Sequence, residues 1–185
     1  PNTDTNYFTY KAGVGYTITA FADYNGTVAG TTKVTTSTTH ALLANEPITI
    51  TGTTNYNGTY LVTGSIDGTN FYITKAYVSN DATGSVRRPS TFKCLVAGIY
   101  KLGFTISGFS ATANDVFKWE MNRDITALDN IGARGVWTDT PNFRSVAATG
   151  LVSLTVGQYV WMSVKNYTGA RNLTIENANV NIQRV

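Results

Sequence analysis

From Tyr16 to Val185 apolar and polar residues alternate with a period of two, and no segment longer than a few turns carries a 3.6-residue period. A chain patterned this way folds as strands, with successive side chains on opposite faces. Asn25-Gly26, Asn57-Gly58 and Asp67-Gly68 are suited to tight hairpin turns, because both central residues of a type I′ turn need positive φ. The expectation is an all-β protein. In TVGQYVWMSVKN, Thr155 to Asn166, alternation puts Val160, Met162 and Val164 on one face and Tyr159, Trp161 and Ser163 on the other. A one-sided antiparallel strand is polar outside, so a Trp and a Tyr on the second face imply that this face is also covered. Another copy of the chain is the expected cover; for Trp161 alone, an ordinary exposed aromatic is the alternative. AGIYKLGFTISGF, Ala97 to Phe109, repeats the arrangement, with Tyr100, Leu102, Phe104 and Ile106 on one face and Lys101, Gly103, Thr105 and Ser107 on the other.

Composition narrows the function classes. The 185 residues hold 14 Lys and Arg against 11 Asp and Glu, only 14% of the chain. The sole local basic cluster is Arg87-Arg88, so counterion release from nucleic acid has no stripe to act on, and no nucleic-acid partner is expected. Abundant Thr, Asn, Gly and aromatic residues instead suit polar faces of hydroxyls and amides, which bury against a partner without desolvating charge. A single cysteine, Cys94, rules out an intrachain disulfide and fits synthesis in a reducing cytoplasm. The opening residues PNTDTNYFTY lack the basic start and apolar run of an export signal, and no apolar stretch is long enough to be expected to insert in a membrane as a helix. Pro1 reads as the residue left by removal of an initiator methionine, with a cleavage boundary as the alternative.

Residues 1–12 are polar with scattered aromatics and read as an N-terminal arm, in which Tyr7, Phe8 and Tyr10 supply apolar anchors. Such an arm orders either on a partner or on its own domain. From Thr31 to Val86 four short strands are expected, around Lys33 to Thr36, Ile48 to Thr51, Tyr60 to Thr63 and Phe71 to Ile73, forming a compact barrel or sandwich. The succession Val-Thr, His40-Ala-Leu, Pro47-Ile-Thr-Ile-Thr-Gly-Thr, Tyr56-Asn-Gly-Thr-Tyr, Phe71-Tyr-Ile and Asp81-Ala-Thr-Gly resembles a small module recurrent in tailed-phage structural proteins. Ala41 and Asn45 stand where that module often has glycine.

A second unit follows, with strands expected at Thr91 to Leu95, Ile99 to Phe109, Val116 to Asn122, Arg144 to Thr149, Leu151 to Thr155, Tyr159 to Lys165 and Leu173 to Arg184. Gly98-Ile-Tyr100 with Leu102, and Leu154, Gly157, Val160 and Val164, resemble two strand motifs of the C1q and tumour-necrosis-factor jelly rolls. Gln158 replaces that family's usual aspartate, and VNIQRV departs from its glycine-rich ending. GYTITAFADY, Gly15 to Tyr24, is a candidate for the family's first strand. The jelly roll would then comprise 13–30 and 87–185, with 31–86 as an inserted module; three beads in series is the alternative organisation.

Catalytic chemistry finds little to work with. His40, the only histidine, and Cys94 leave no metal constellation, and there is no G-x-S-x-G elbow. Asp115, Glu120, Asp124, Asp129 and Asp139 are the carboxylates that could flank a glycosidic bond, but they mix with Arg123 and Arg134 in the manner of solvated ion pairs. Sequons at Asn25, Asn57, Asn166 and Asn172 arise freely in a chain this rich in Asn and Thr. No enzyme activity, cofactor or metal is expected. The two resemblances imply a phage structural protein, made in the host cytoplasm and displayed on the virion surface. They imply a homotrimer; the two-faced strands put its interface at Lys101, Gly103, Thr105, Tyr159, Trp161 and Ser163, and the arm's Tyr7, Phe8 and Tyr10 are expected to hold it to the major capsid protein or another virion protein. Capsid decoration or head fibre is the leading role. The alternative is a tail-fibre or spike tip binding a host-surface glycan or receptor, with Trp119, Trp137 or Tyr167 stacking on sugar rings.

Overall fold

A computed structural model of the chain describes residues 7–24, 30–110, 114–137, 144–169 and 173–185. The expected turn at Asn25-Gly26, Asp139 and the Asn172 sequon lie outside the described residues. In chain order the strands are β1 (Phe8–Lys11), β2 (Val14–Asp23), β3 (Thr31–Thr36), β4 (Pro47–Thr51), β5 (Gly58–Ser65), β6 (Asn70–Thr74) and β7 (Ser85–Arg88). They continue as β8 (Thr91–Cys94), β9 (Gly98–Ser110), β10 (Asp115–Arg123), β11 (Thr126–Trp137), β12 (Arg144–Leu154), β13 (Tyr159–Asn166) and β14 (Leu173–Arg184). The protein is all-β, a sandwich of two sheets and a closed six-stranded barrel, consistent with the jelly-roll-like class expected. One compact unit comprises the described residues of Pro1–Thr9, Cys94–Val156 and Val160–Val185, and the other Tyr10–Lys93 with Gly157–Tyr159.

The barrel closes in the order β2-β3-β6-β5-β4-β7, with β7 pairing both β4 and β2. GYTITAFADY therefore belongs to the barrel and not to the sandwich: β2 lies against β3 and β7, and its Ile18 and Phe21 are core residues of the barrel. The module accordingly starts well before residue 31. Inward-pointing alternate residues fill the interior, where the Phe21 and Tyr56 rings stack with centroids 4.0 Å apart. The Tyr56 hydroxyl donates to the Ser79 carbonyl and accepts from the Val78 and Ser79 amides, so a buried phenol is fully satisfied.

Turn chemistry differs from expectation in an instructive way. Asn57-Gly58 is no two-residue hairpin, since residues 52–57 separate β4 from β5. Asn57 works through its side chain instead, accepting from the Thr53 amide at 3.0 Å and donating to the Thr53 carbonyl at 2.7 Å. Asp67-Gly68 does lie between paired strands, and there the Asp67 carboxylate accepts from the Thr69 and Asn70 amides. Asn45 adopts φ 68°, a left-handed conformation that glycine takes freely and that asparagine tolerates. At Gly84, φ 98°, a Cβ would lie 2.6 Å from the Thr51 carbonyl oxygen, so only glycine fits there.

An ionic clamp organises one end of this unit. The fully buried Glu46 carboxylate pairs with Lys11 and with Arg88, the latter at 3.3 Å, and accepts from the Leu43 amide at 3.0 Å. Arg88 also donates to the carbonyls of Ala41 and Ala12, both at 3.2 Å. The basic cluster read from sequence thus includes one arginine used as an internal tie.

The sandwich packs a five-stranded sheet, β1-β8-β13-β10-β11, on a three-stranded sheet, β12-β9-β14. Tyr100, Leu102, Phe104 and Ile106 of β9 are buried, as are Phe117, Trp119 and Met121 of β10. Burying each such side chain is worth about 1.5–3 kcal/mol. Strand β11 was not expected from sequence; its Asp, Asn and two glycines are poor strand formers, yet it pairs with β10 and buries Ile131 and Trp137. Nor does Gly150 divide two strands. It pairs with Leu102 inside a continuous β12, and a Cβ there would lie 2.7 Å from Ile131 Cγ1, so the glycine serves close approach.

Glu46→Ala leaves Arg88 buried without its counter-ion and is expected to cost roughly 3–5 kcal/mol of stability, read by chemical denaturation; a loss under ~1 kcal/mol would show the clamp to be dispensable. Hydrogen bonding by the Thr69 amide, above all, holds the Asp67 carboxyl down at about 2. Because its folded value lies below the unfolded one, its stabilising contribution is present above the ordinary carboxyl range and is lost as pH falls toward about 2. A carboxyl-detected NMR titration should place the Asp67 midpoint near there, and an ordinary Asp midpoint would refute the turn geometry.

Candidate functional site

The six residues expected to form a trimer interface fall on two different sheets. Lys101, Gly103 and Thr105 lie on the outer face of β9, the central strand of the three-stranded sheet. Tyr159, Trp161 and Ser163 lie on β13, inside the five-stranded sheet. They do not form one surface, because the outer faces of packed sheets point apart. Nor are the aromatics open to a second copy. Tyr159 is 1% and Trp161 8% exposed within a single chain. Trp161 Nε1 donates to the Asp124 carbonyl at 2.7 Å, and the Lys93 ammonium lies 5.6 Å from the Tyr159 ring centre. Ser163 is half-buried and accepts from Asn122 Nδ2 at 2.9 Å. The large second face read from sequence is real, but its cover is intramolecular.

Lys101, Gly103 and Thr105 do meet a defined neighbourhood. On the same face Gly103 stands between Thr149 of β12 and Asn181 of β14, and Thr105 between Ala147 and Asn179. The missing side chain of Gly103 sits in a shallow depression of about 620 Å³. From Ile99 to Ser107 and across both flanking strands, Lys101 is the sole charged side chain on this face. Strands β12 and β14 are the two edges of this sheet; β14 is exposed over nearly all of its length and carries neither proline nor lysine.

The arm's anchors rest on their own chain. The Tyr7 carbonyl accepts from the Leu95 amide at 2.8 Å, the Phe8 ring meets Tyr100 edge-on at 5.0 Å, and Tyr10 packs on Phe92 at 5.2 Å. Phe8 and Tyr10 belong to β1, a sheet strand, so the order of this segment needs no external partner.

The residues weighed for chemistry have structural work. His40 is buried, its Nδ1 accepts from the Leu42 amide at 3.3 Å, and burial lowers its pKa. Asp115 is buried and accepts from the Ser110 hydroxyl at 2.5 Å and the Thr168 hydroxyl at 2.9 Å. Glu120 and Asp129 both pair with Lys118, at 2.5 Å and 3.7 Å. Among the described residues no group of three His, Cys, Asp or Glu side chains is placed to hold a metal ion.

Of the three aromatics expected to stack on sugars, two are core. Trp119 and Trp137 are fully buried with ring centres 5.0 Å apart. Tyr167 alone is open, at 47% exposure, and the Arg134 guanidinium and Lys165 ammonium lie 5.0 Å and 5.1 Å from its ring centre. Arg134, Lys118 and Lys165 occupy one row across β11, β10 and β13. Sequence reading missed this row because its members are far apart in the chain, and only strand register aligns them. Lys118 is held charged, its pKa raised chiefly by the hydrogen bond to Glu120. No protein-family model matches the chain, and no curated protein matches it.

Proposed function

We propose that the protein is a non-enzymatic structural protein of a tailed-phage particle, a homotrimer that decorates the capsid or forms a head fibre and associates through the outer face of the β12-β9-β14 sheet. The observation that carries the self-association is that face: a broad strand surface of Thr, Ser, Asn and Ala with one lysine, flanked by an edge strand that is uncharged and regularly paired from Asn177 to Gln183. Natural edge strands are blunted by charge, proline, bulges or shortness; β14 has a bulge and Glu176 near its start, but from Asn177 to Gln183 it carries none of these. Covering hydroxyls and amides requires exchange of hydrogen bonds with water and no charge desolvation. Ile99, Leu151 and Val185 add exposed aliphatic groups at one end, the Val185 amide donating to the Ile99 carbonyl at 2.9 Å. The threefold symmetry and the phage setting rest on the resemblance of GIYKLGFTISGF to C1q-like strands and of residues 31–86 to a phage module. A second reading, a glycan- or receptor-binding tip, is favoured by Tyr167 and its flanking cations.

Light scattering of the purified protein at micromolar concentration is expected to give three times the chain mass of 20.0 kDa. Thr105→Glu combined with Asn181→Glu would bury uncompensated charge and is expected to yield a folded monomer with an unchanged circular-dichroism spectrum. A wild-type monomer, or a double variant that stays trimeric, refutes association through this face. Quantitative mass spectrometry of particles of the encoding phage tests the role itself. A high copy number fits capsid decoration, a low one the tip, and absence from particles rejects both.

A further inference from the structure

The row Arg134, Lys118, Lys165 is a costly arrangement. Lys118 stands directly opposite Arg134 on one side and Lys165 on the other, with strands about 4.8 Å apart, and like charges opposed across a sheet are destabilising. Glu120 and Asp129 relieve Lys118 alone. Neither Arg134 nor Lys165 has a carboxylate within ion-pair distance among the described residues; both lie against the ring of Tyr167. The backbone that carries this ring is anchored, the Tyr167 amide donating to the Val116 carbonyl at 2.8 Å. Beside it Gly132 and Ala133, which bring little side chain, help to form a depression of about 300 Å³ bordered by Lys118, Asp129, Arg134 and Tyr167, the small end of ligand-sized cavities. The site therefore offers two cations that want an anion, an aromatic surface half open to solvent, and room for about one small ring.

We propose that this row binds an acidic polysaccharide. Arg134 and Lys165 leave the Tyr167 ring they lie over to take the carboxylate of one sugar residue, and the ring they uncover packs on the apolar face of that sugar. Charge-assisted hydrogen bonds from a guanidinium suit a planar carboxylate, and an exposed tyrosine with two cations over its ring matches a sugar that has both an apolar C–H face and an acid group. Nucleic acid fits less well: the row is three cations long and accompanied by two carboxylates, too little to track a phosphate backbone. The site is on β10, β11 and β13, in the sheet that takes no part in the proposed association, so it does not depend on the oligomeric state.

Uronic and sialic acids both present a carboxylate on a pyranose ring, on C5 in the first and on the anomeric carbon in the second, and titration calorimetry on the full chain with hyaluronan oligosaccharides and with polysialic acid distinguishes them. Saturable binding of either, weakened by salt, is the expected result. Arg134→Gln with Lys165→Gln should weaken it about tenfold or more, the loss of at least one charge-assisted hydrogen bond. Tyr167→Ala should weaken it by roughly three- to tenfold through lost ring packing. Thermal melts establish that the variants are folded, and Lys101→Gln, on the other sheet, should leave binding unchanged. The proposal is overturned if neither polymer binds at millimolar sugar, if neutral dextran binds as well, if an oligonucleotide of equal charge binds more tightly, or if the folded variants bind like wild type.

Discussion

Backbone pairing of β9 along nearly its whole length, to β12 on one side and β14 on the other, is the constraint on which the sandwich depends. With side chains alternating at a strict period of two, a one-residue slip on either side would carry the inner residues of the slipped strand to solvent. The inner set, Tyr100, Leu102, Phe104 and Ile106, is large and apolar, and the outer set is small and polar. That contrast fixes the register, and the register then decides which residues of distant segments become neighbours. Thr149 and Asn181 come to flank Gly103 for no other reason.

The two sheets present different surfaces. One is nearly uncharged and ends in an open strand; the other carries paired and unpaired charges around a single exposed tyrosine. The first suits contacts where loss of water must cost little, as between identical subunits. The second keeps its charges solvated and available, which suits reversible capture of an anion. Buried tryptophans separate these roles, because Trp119 and Trp137 spend their area on the interior and not on a ligand.

The all-β class, most strand positions and the existence of a small β unit were legible because period-two alternation is local. The errors arose where tertiary context decides. Gly150 reads as a break and is a close-packing site against Ile131; residues 126–137 carry no strand pattern and are held as a strand by pairing with β10. The strand Gly15 to Tyr24 has the right pattern for a sandwich, but pattern does not say which partner a strand takes, and it closes the barrel. Alternation shows that Tyr159 and Trp161 need cover, and it cannot tell an intramolecular cover from a second subunit. The basic row needs two registers to be known at once, so no single stretch of chain announces it.

Strands β1 and β8 are neighbours in one sheet, although the whole barrel lies between them in sequence. During synthesis β1 emerges first and must wait, unpaired, until the barrel has been made, whereas the barrel's own hairpins can close as they appear. The inserted unit thus sets the schedule on which that sheet edge is completed. Slow or faulty closure of the barrel prolongs the interval in which the aromatic residues of β1 are available to the wrong chain.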